Sequence, residues 1–373
     1  MSVRMYDCDF GDCFVIQEEH VSRPLYVDFG VHSRSQTLRR AALDNRYRDI
    51  IKDMPVEKDI VITHYHDDHY SGLIYMYNNG LGTPFMNVYI PDVWDADDDY
   101  KLIKLLVLST IYDRTTRSHV NIADFLLAIC NQTVHLVQRG DDISSHMVAL
   151  WPDKKQIKNK ISDIDISDLP SEILDSIGRI ASLLYISVQS IANRTNGELF
   201  LGNVQENLEE CSMLIQNLYS DINEEWLPDE LKVKLGDFGN NVSIVFRNIR
   251  LLNTGRNMLF TGDVDAKIMK ELEVCTDYPR LLKHNSIIKL PHHGTENKHY
   301  FDFKGYITNK GTYIIPNGSV AGWFISNRYC TDAAIKHTKM IVANDRGFDP
   351  ISTIIPSLAF SIAGSGQIYK DIV

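Results

Sequence analysis

Residues 58–72 read KDIVITHYHDDHYSG, an apolar strand that runs straight into a dense group of histidines and aspartates. The pattern HxHxDH is specific in a chain that has 13 histidines among 373 residues. Alternate residues of an extended segment share a side, so His64 and His66 can face one position. Asp68 and His69 fall on the following turn and can reach a second position. Imidazole and carboxylate are the ligands that zinc takes when sulfur is absent, so the motif predicts a metal site; the alternative is a surface histidine cluster that binds nothing.

Two later strand ends carry further residues of the same kind. NMLFTGD, at 257–263, ends at Asp263, and IIKLPHHGT, at 287–295, contains His292 and His293. Taken alone, an aspartate at a strand end is usually a turn former, and a histidine pair is usually a surface feature. Open α/β sheets place their sites just beyond the strand ends, so we expect these residues to converge with the HxHxDH motif.

The composition is that of a globular protein, with 44% hydrophobic and 23% charged residues. It excludes a disordered chain, a collagen-like repeat and a simple coiled coil. No apolar run approaches the length of a membrane span, and the first residues lack the apolar stretch of a signal peptide, which predicts a cytoplasmic protein without a membrane partner. Six scattered cysteines without a CxxC pair indicate buried free thiols rather than a zinc site built from sulfur.

The formal net charge is −11 at pH 7, from 38 basic and 49 acidic residues. A protein that only coats nucleic acid would be basic. The acidic balance still permits an enzyme that acts on phosphodiesters, because divalent metals can supply the local positive charge.

Apolar periodicity divides the chain into three parts. Residues 1–153 and 232–373 alternate strands with helices, and they predict the two halves of one α/β domain. Between them, residues 154–231 show apolar stripes at helical spacing, which predict an α-helical hairpin insertion. The hairpin could pack on the main domain, form a lid, or bind a protein partner or a second copy of the chain; the sequence does not choose.

The sequence resembles the metallo-β-lactamase-fold hydrolases, and among them it is most similar to the hydrolase domain of ComEC-type competence proteins. The resemblance covers most of the chain outside the hairpin. It is carried by FGDCFVI, LYVDFG, THYHDDHYSG, VQRGDDI, NNVSIVFR, NMLFTGD, KLPHHGT and VANDRG. It implies an α/β fold, namely a four-layer αββα sandwich into which the helical hairpin is inserted.

The resemblance also implies a ligand set for two divalent ions, Zn²⁺ in the first place and Mn²⁺ as the alternative. His64 and His66 would hold one ion, and Asp68 and His69 the other. Asp263 would bridge them, and one of His292 and His293 would complete a shell; we favour His293 as the ligand. The catalytic residues would then be Asp68, which orients a metal-bound hydroxide, and His292, which contacts substrate. Asp12 and Asp28 resemble supporting residues of the family.

The chain departs from the family pattern at two places. Many members have another metal-binding histidine between the first motif and the bridging aspartate, and here His119, His135 and His146 are the candidates, none of them in a recognisable motif. Asn327 and Arg328 occupy the neighbourhood in which a His-Pro pair is usual.

The reaction implied by the resemblance is phosphodiester cleavage, with nucleic acid or another phosphodiester as substrate. Basic residues at 34, 39, 40, 154, 155 and 158 could line a groove for a polymer. Because one fold hosts many chemistries, two alternatives stay open. One is hydrolysis of small esters, lactones or amides at the same metals, and the other is a metal-bound interaction module whose catalysis is vestigial.

Overall fold

The computed structural model describes residues 2–18, 21–32, 40–112, 122–144, 146–192, 201–221, 227–248, 257–275, 282–295, 299–317, 325–342, 359–361 and 369–372. His119 and the basic residues 34 and 39 lie outside these ranges, as do residues 343–347 of the VANDRG segment. All other candidate site residues lie within them.

The described residues form two seven-stranded mixed sheets at the centre of the fold. The first has the order β14-β1-β2-β3-β4-β5-β6, with β3 to β6 parallel; the second has the order β13-β12-β11-β10-β9-β8-β7, with β9 to β13 parallel. The strands are β1 Ser2–Tyr6, β2 Phe14–Gln17, β3 Leu25–Val27, β4 Asp59–Val61, β5 Phe85–Pro91, β6 Cys130–Val137, β7 Met147–Trp151, β8 Val245–Asn248, β9 Met258–Phe260, β10 Asn285–Lys289, β11 Ile307–Ile315, β12 Lys339–Val342, β13 Ala359–Ser361 and β14 Tyr369–Asp371.

Alternation along the strands builds two separate apolar layers. Val61 and Phe260 belong to a core to which both sheets contribute, whereas Ile60 and Leu259, one position earlier, pack with the helices. Successive residues of a strand point to opposite faces, so each sheet is buried on both sides. The predicted α/β class is confirmed, and this layering is consistent with the predicted four-layer sandwich.

The helices among the described residues are α1 Arg40–Asp53, α2 Asp67–Asn79, α3 Asp97–Tyr112, α4 Ile122–Ile129, α5 Lys154–Lys160, α6 Ser171–Ala192, α7 Leu201–Asp221, α8 Asp229–Asn241, α9 Ala266–Val274 and α10 Asn327–Lys336. None of them is long and apolar enough to cross a membrane.

Two long helices occupy the segment predicted to be a hairpin. α6 packs against α7, and it also contacts α3, α4 and β6. Ile177, Ile180 and Leu184 are buried in the same core as the helices of the first half. That this segment is an insertion into the domain, with boundaries at 154 and 231, remains a prediction.

Candidate metal centre

The candidate ligands lie beyond the carboxyl ends of strands from both sheets. Asp28 follows β3, and His64 follows the parallel strand β4. Asp263 and His293 follow the parallel strands β9 and β10 of the second sheet. The loop between β1 and β2 adds Asp12. Residues far apart in the sequence therefore share one buried edge.

Four of the candidate ligands form a compact cluster. One ligand atom each of Asp68, His69, Asp263 and His293 lie within 4.8 Å of one another, and all four side chains are buried. His293 Nε2 is 2.9 Å from Asp68 Oδ2 and 3.5 Å from Asp263 Oδ2. His69 Nε2 is 3.3 Å from the same Asp263 oxygen. Nitrogen and carboxylate donors at this spacing are compatible with a divalent metal ion.

Asp28 fixes the orientation of His69. The imidazole Nδ1 donates to Asp28 Oδ2 over 2.8 Å, and the carboxylate also accepts the backbone N–H and the hydroxyl of Thr63, each over 2.7 Å. With Nδ1–H held in this way, Nε2 is directed at the cluster. A carboxylate behind a histidine is the usual support of a metal ligand.

His293 is held by its neighbours in the same way. Its Nδ1 donates to the carbonyl of Pro316 over 2.8 Å and lies 3.3 Å from Asp12 Oδ1. Phe10 packs on the ring, with centroids 4.1 Å apart. The turn that presents His293 contains three successive left-handed residues, with φ of 47° at His292, 54° at His293 and 70° at Gly294. Such strain in non-glycine residues clusters at functional sites.

Close backbone contact brings the HxHxDH motif against the first sheet. Phe29 donates its backbone N–H to the carbonyl of His69, and Asp12 donates to that of Asp68, over 2.8 and 2.9 Å. A methyl group on Gly30 would lie 2.4 Å from the carbonyl carbon of Asp68. Only glycine at position 30 permits this approach.

Lys289, the last residue of β10, is buried among the acidic residues. Its ammonium lies 2.8 Å from Asp12 Oδ2, 2.8 Å from Asp263 Oδ1 and 2.9 Å from the carbonyl of Gly262. Asp263 Oδ1 also accepts the backbone N–H of His292 over 3.2 Å. One oxygen of Asp263 is thus committed to the protein, and the other faces His69 and His293.

The mixture of charges shifts the pKa of every member. Burial alone would lower the pKa of His69, but the surrounding carboxylates, led by Asp263, raise it well above its ordinary value. Burial likewise opposes ionised Asp263, yet Lys289 and the two imidazoles hold the pKa of Asp263 well below its usual range. Against the effect of burial, the same carboxylates raise the pKa of His293 to about 9. In the absence of metal, protonated histidines therefore neutralise the acids.

His64 and His66 lie beside this cluster. The ring centroids of His64 are 4.0 Å from His69 and 4.7 Å from His66. Burial, together with the neighbouring imidazoles, lowers the pKa of His64 well below its ordinary value, so the ring is neutral. His64 Nε2 is buried and has no hydrogen-bond partner among the described residues. A neutral imidazole with a free buried nitrogen fits a metal ligand.

His292 lies at the rim of the cluster and outside the four-residue group. Its Nδ1 is 2.7 Å from the hydroxyl of Thr295, and its ring stacks on that of His299 with centroids 4.0 Å apart. Burial and the adjacent His299 lower the pKa of His292 well below its ordinary value. A neutral imidazole in this position can donate a hydrogen bond to a substrate.

The residues at which the chain departs from the pattern of the resembled family are not among the four clustered ligands. His135 stacks on Tyr89 with centroids 4.5 Å apart, and His146 lies 3.8 Å from Glu18. Neither belongs to a ligand group among the described residues, and His119 lies outside them. Asn327 begins α10, and the guanidinium of Arg328 lies over the ring of Tyr300 at 5.0 Å.

Three residues of the site were not singled out in the sequence. Lys289 looks like an ordinary lysine at a strand end, although its place three residues before His292 puts it at the same sheet edge. Phe10 and His32 come from the first sheet, and their rings contact each other. Burial alone would raise the pKa of Asp68, but nearby histidines lower it well below its usual range. His69 contributes most to this lowering, and the charge of His32 contributes less.

Comparison with known proteins gives a limited result. No family model matches the chain, and no curated protein is similar to it in sequence. Among solved structures, it is similar to the metallo-beta-lactamase fold protein YhfI from Bacillus subtilis, with 9% sequence identity, 99% of each chain covered and a TM-score of 0.37. At that score the likeness does not define the family. The fold and the site together define an α/β protein whose buried Asp/His cluster is compatible with a divalent metal site.

Proposed function

We propose that the protein is a metal-dependent hydrolase of the metallo-β-lactamase class that cleaves phosphodiester bonds with two divalent ions. The observation that carries the proposal is the convergence of Asp68, His69, Asp263 and His293 within 4.8 Å at a buried sheet edge. His64 and His66 lie next to them and would hold the second ion. When bound, such ions activate water and polarise the bond under attack.

Charge balance supports two divalent ions at this site. Asp12, Asp28, Asp68 and Asp263 are buried, and Lys289 is the buried lysine that contacts two of them. With neutral histidines, this group of five carries three negative charges. Two divalent ions would leave an excess of one positive charge, which the hydroxide that attacks the substrate would neutralise. The charge sum therefore fits a phosphodiester and a neutral ester equally, and the assay below distinguishes them.

The protein's own side chains perform three tasks at this site. Asp28 and Pro316 accept the Nδ1 protons of His69 and His293, so that both rings would have Nε2 available to hold an ion. Lys289 holds one oxygen of Asp263, which leaves the other for the ions. His292, kept neutral by its surroundings, is placed to donate a hydrogen bond to a substrate oxygen.

Two of the three lysines predicted to line a groove do not favour a long polymer. Lys154 Nζ is 2.7 Å from Asp92 Oδ2, and Lys158 Nζ is 2.6 Å from Asp95 Oδ2. Each is therefore neutralised by an acidic neighbour. The proposal is accordingly made for the phosphodiester bond, and whether the substrate is nucleic acid is decided by experiment.

The test is a panel assay with metal analysis. Purified protein is incubated with Zn²⁺ or Mn²⁺ and with bis-p-nitrophenyl phosphate, single-stranded DNA, duplex DNA, RNA and a set of lactones, while bound metal is counted by elemental analysis. We expect metal-dependent cleavage of at least one phosphodiester, and its loss in Asp263→Asn. Turnover of lactones alone would assign the site to the other hydrolase class. Two bound ions without any turnover would favour an interaction module.

A further inference from the structure

The half of the site that contains His64 and His66 is short of ligands. Within the part of the chain that the structure describes, two groups of histidine and aspartate atoms are close enough to hold an ion, and both contain His69. Neither His64 nor His66 belongs to either group. Zinc centres use three or four protein ligands, and the two imidazoles with the bridging Asp263 would supply three. A further donor of another residue type would complete a shell of four.

Asn240, in the last turn of α8, has the properties of such a donor. The residue is 7% exposed, and its Oδ1 is buried without a hydrogen-bond partner among the described residues. The next residue, Asn241, is fully engaged: its Oδ1 accepts the backbone N–H of Asp265, and its Nδ2 donates to the Asp265 carboxylate. A buried amide oxygen without a partner costs stability, unless it binds something else.

The backbone places Asn240 beside the two histidines. A methyl group on Gly239 would lie 2.2 Å from His66 Nε2, so this ring rests directly on the α8 backbone one residue before Asn240. After the helix, Ile244 donates its backbone N–H over 2.8 Å to the carbonyl of Thr63, the residue before His64. Consecutive Cα atoms are about 3.8 Å apart, so the Asn240 side chain starts within reach of the space that the His66 nitrogen faces.

We infer that Asn240 supplies its amide oxygen as the fourth protein ligand of the ion held by His64, His66 and the bridging Asp263. This inference rests on the proposed function. The two ion positions then differ in charge. The position at His64 and His66 has only neutral ligands besides Asp263, whereas the position at His69 and His293 also has the carboxylate of Asp68. The position at His64 and His66 consequently has the lower metal affinity. Its amide oxygen donor makes it more tolerant of Mn²⁺ than a site of three imidazoles.

The test is a metal titration of three proteins: wild type, Asn240→Leu and Asn240→Asp. Chelator-treated protein is titrated with Mn²⁺, bound ions are counted by elemental analysis, and spin coupling between ions is followed by electron paramagnetic resonance. In the wild type we expect a tight and a weaker ion, and a coupled spectrum when both are bound. Asn240→Leu should lower the affinity of only the weaker ion, the one at His64 and His66, by roughly tenfold or more. The remaining spectrum should be that of an isolated Mn²⁺. Asn240→Asp should bind that ion more tightly than wild type.

Asn285→Leu is the matched control. Asn285 is a buried residue at the start of β10 whose Oδ1 also lacks a partner among the described residues, and it lies about 13 Å along the strand from Lys289. It should retain both ions. Wild-type affinities in Asn240→Leu, or in Asn240→Asp if the leucine variant does not fold, would overturn the inference and leave the proposed function intact. Failure of the wild type to bind any ion would instead overturn both.

Discussion

Replacement of Lys289 by methionine tests the charge arrangement of the site most directly. The substitution keeps a long unbranched side chain but removes the ammonium that lies 2.8 Å from both Asp12 and Asp263. Removing one member of a buried ion pair costs about 3–5 kcal/mol, because the partner charges stay buried without compensation. We therefore expect Lys289→Met to lower the free energy of unfolding by that amount when the protein is held in chelator.

Bound metal should reduce this loss. An ion at the cluster would neutralise Asp263, and Asp12 would keep the contact of 3.3 Å with His293 Nδ1. The remaining loss is then that of one hydrogen bond to a charged group, about 1.5–3 kcal/mol. The difference between the losses of unfolding free energy with chelator and with metal measures how far the ion replaces Lys289 in neutralising Asp263.

Chemical denaturation of wild type and variant, with chelator and with saturating Zn²⁺, measures both values. Lys160→Met is the control, since Lys160 pairs with Glu271 at the surface over 2.5 Å, and exposed pairs contribute at most about 1 kcal/mol. An equal loss for Lys289→Met in both conditions would refute the view that a metal ion binds against Asp263. Unchanged stability in chelator would refute the ion-pair reasoning itself.

Three further predictions concern ligation and protons. His66→Ala or Asp263→Ala should abolish hydrolysis and leave the circular dichroism spectrum unchanged, and wild-type turnover in either purified variant would remove the proposed site. Asp28→Asn should weaken metal binding by about 10–100-fold, measured by competition with a chelating dye; an unaltered affinity would show that Asp28 does not support His69. The pKa of His293 is raised to about 9, so metal binding must displace its proton; metal affinity should rise between pH 6.5 and about 9, and an indicator dye should take up the released proton. The stability of the protein in chelator should change in the opposite direction. The stabilisation from protonated His293 is fully present below its unfolded pKa of about 6.5 and is lost as the pH rises through about 9. Affinity independent of pH would contradict this assignment.

The sequence predicted the parts of the fold and site that depend on local pattern. The apolar run before His64 predicted a strand, and β4 ends there; the runs before Asp263 and His293 predicted β9 and β10 in the same way. Convergence at one edge followed from the general behaviour of strand ends. Each of these inferences uses only neighbours in sequence and the alternation of a strand.

The rest depended on contacts between distant segments. Lys289 gives no local signal, because its burial results from Asp12 and Asp263, which lie 277 and 26 positions away in the chain. The Oδ1 of Asn240, which has no hydrogen-bond partner within the described part of the chain, is recognisable only after α8 has packed against the loop of His66. Likewise, nothing in the HxHxDH motif shows that Asp28 lies behind His69.

The distribution of the ligands between the sheets has a consequence for how the molecule holds together. His69 lies on α2, just after β4 of the first sheet, and Asp263 follows β9 of the second, 194 positions later. A cation bound between them would tie the two halves across their shared edge, much as a cross-link closes a long loop. Removal of the ion should therefore loosen the contact between the sheets as well as abolish chemistry, and hydrogen exchange at β4 and β9 would reveal it.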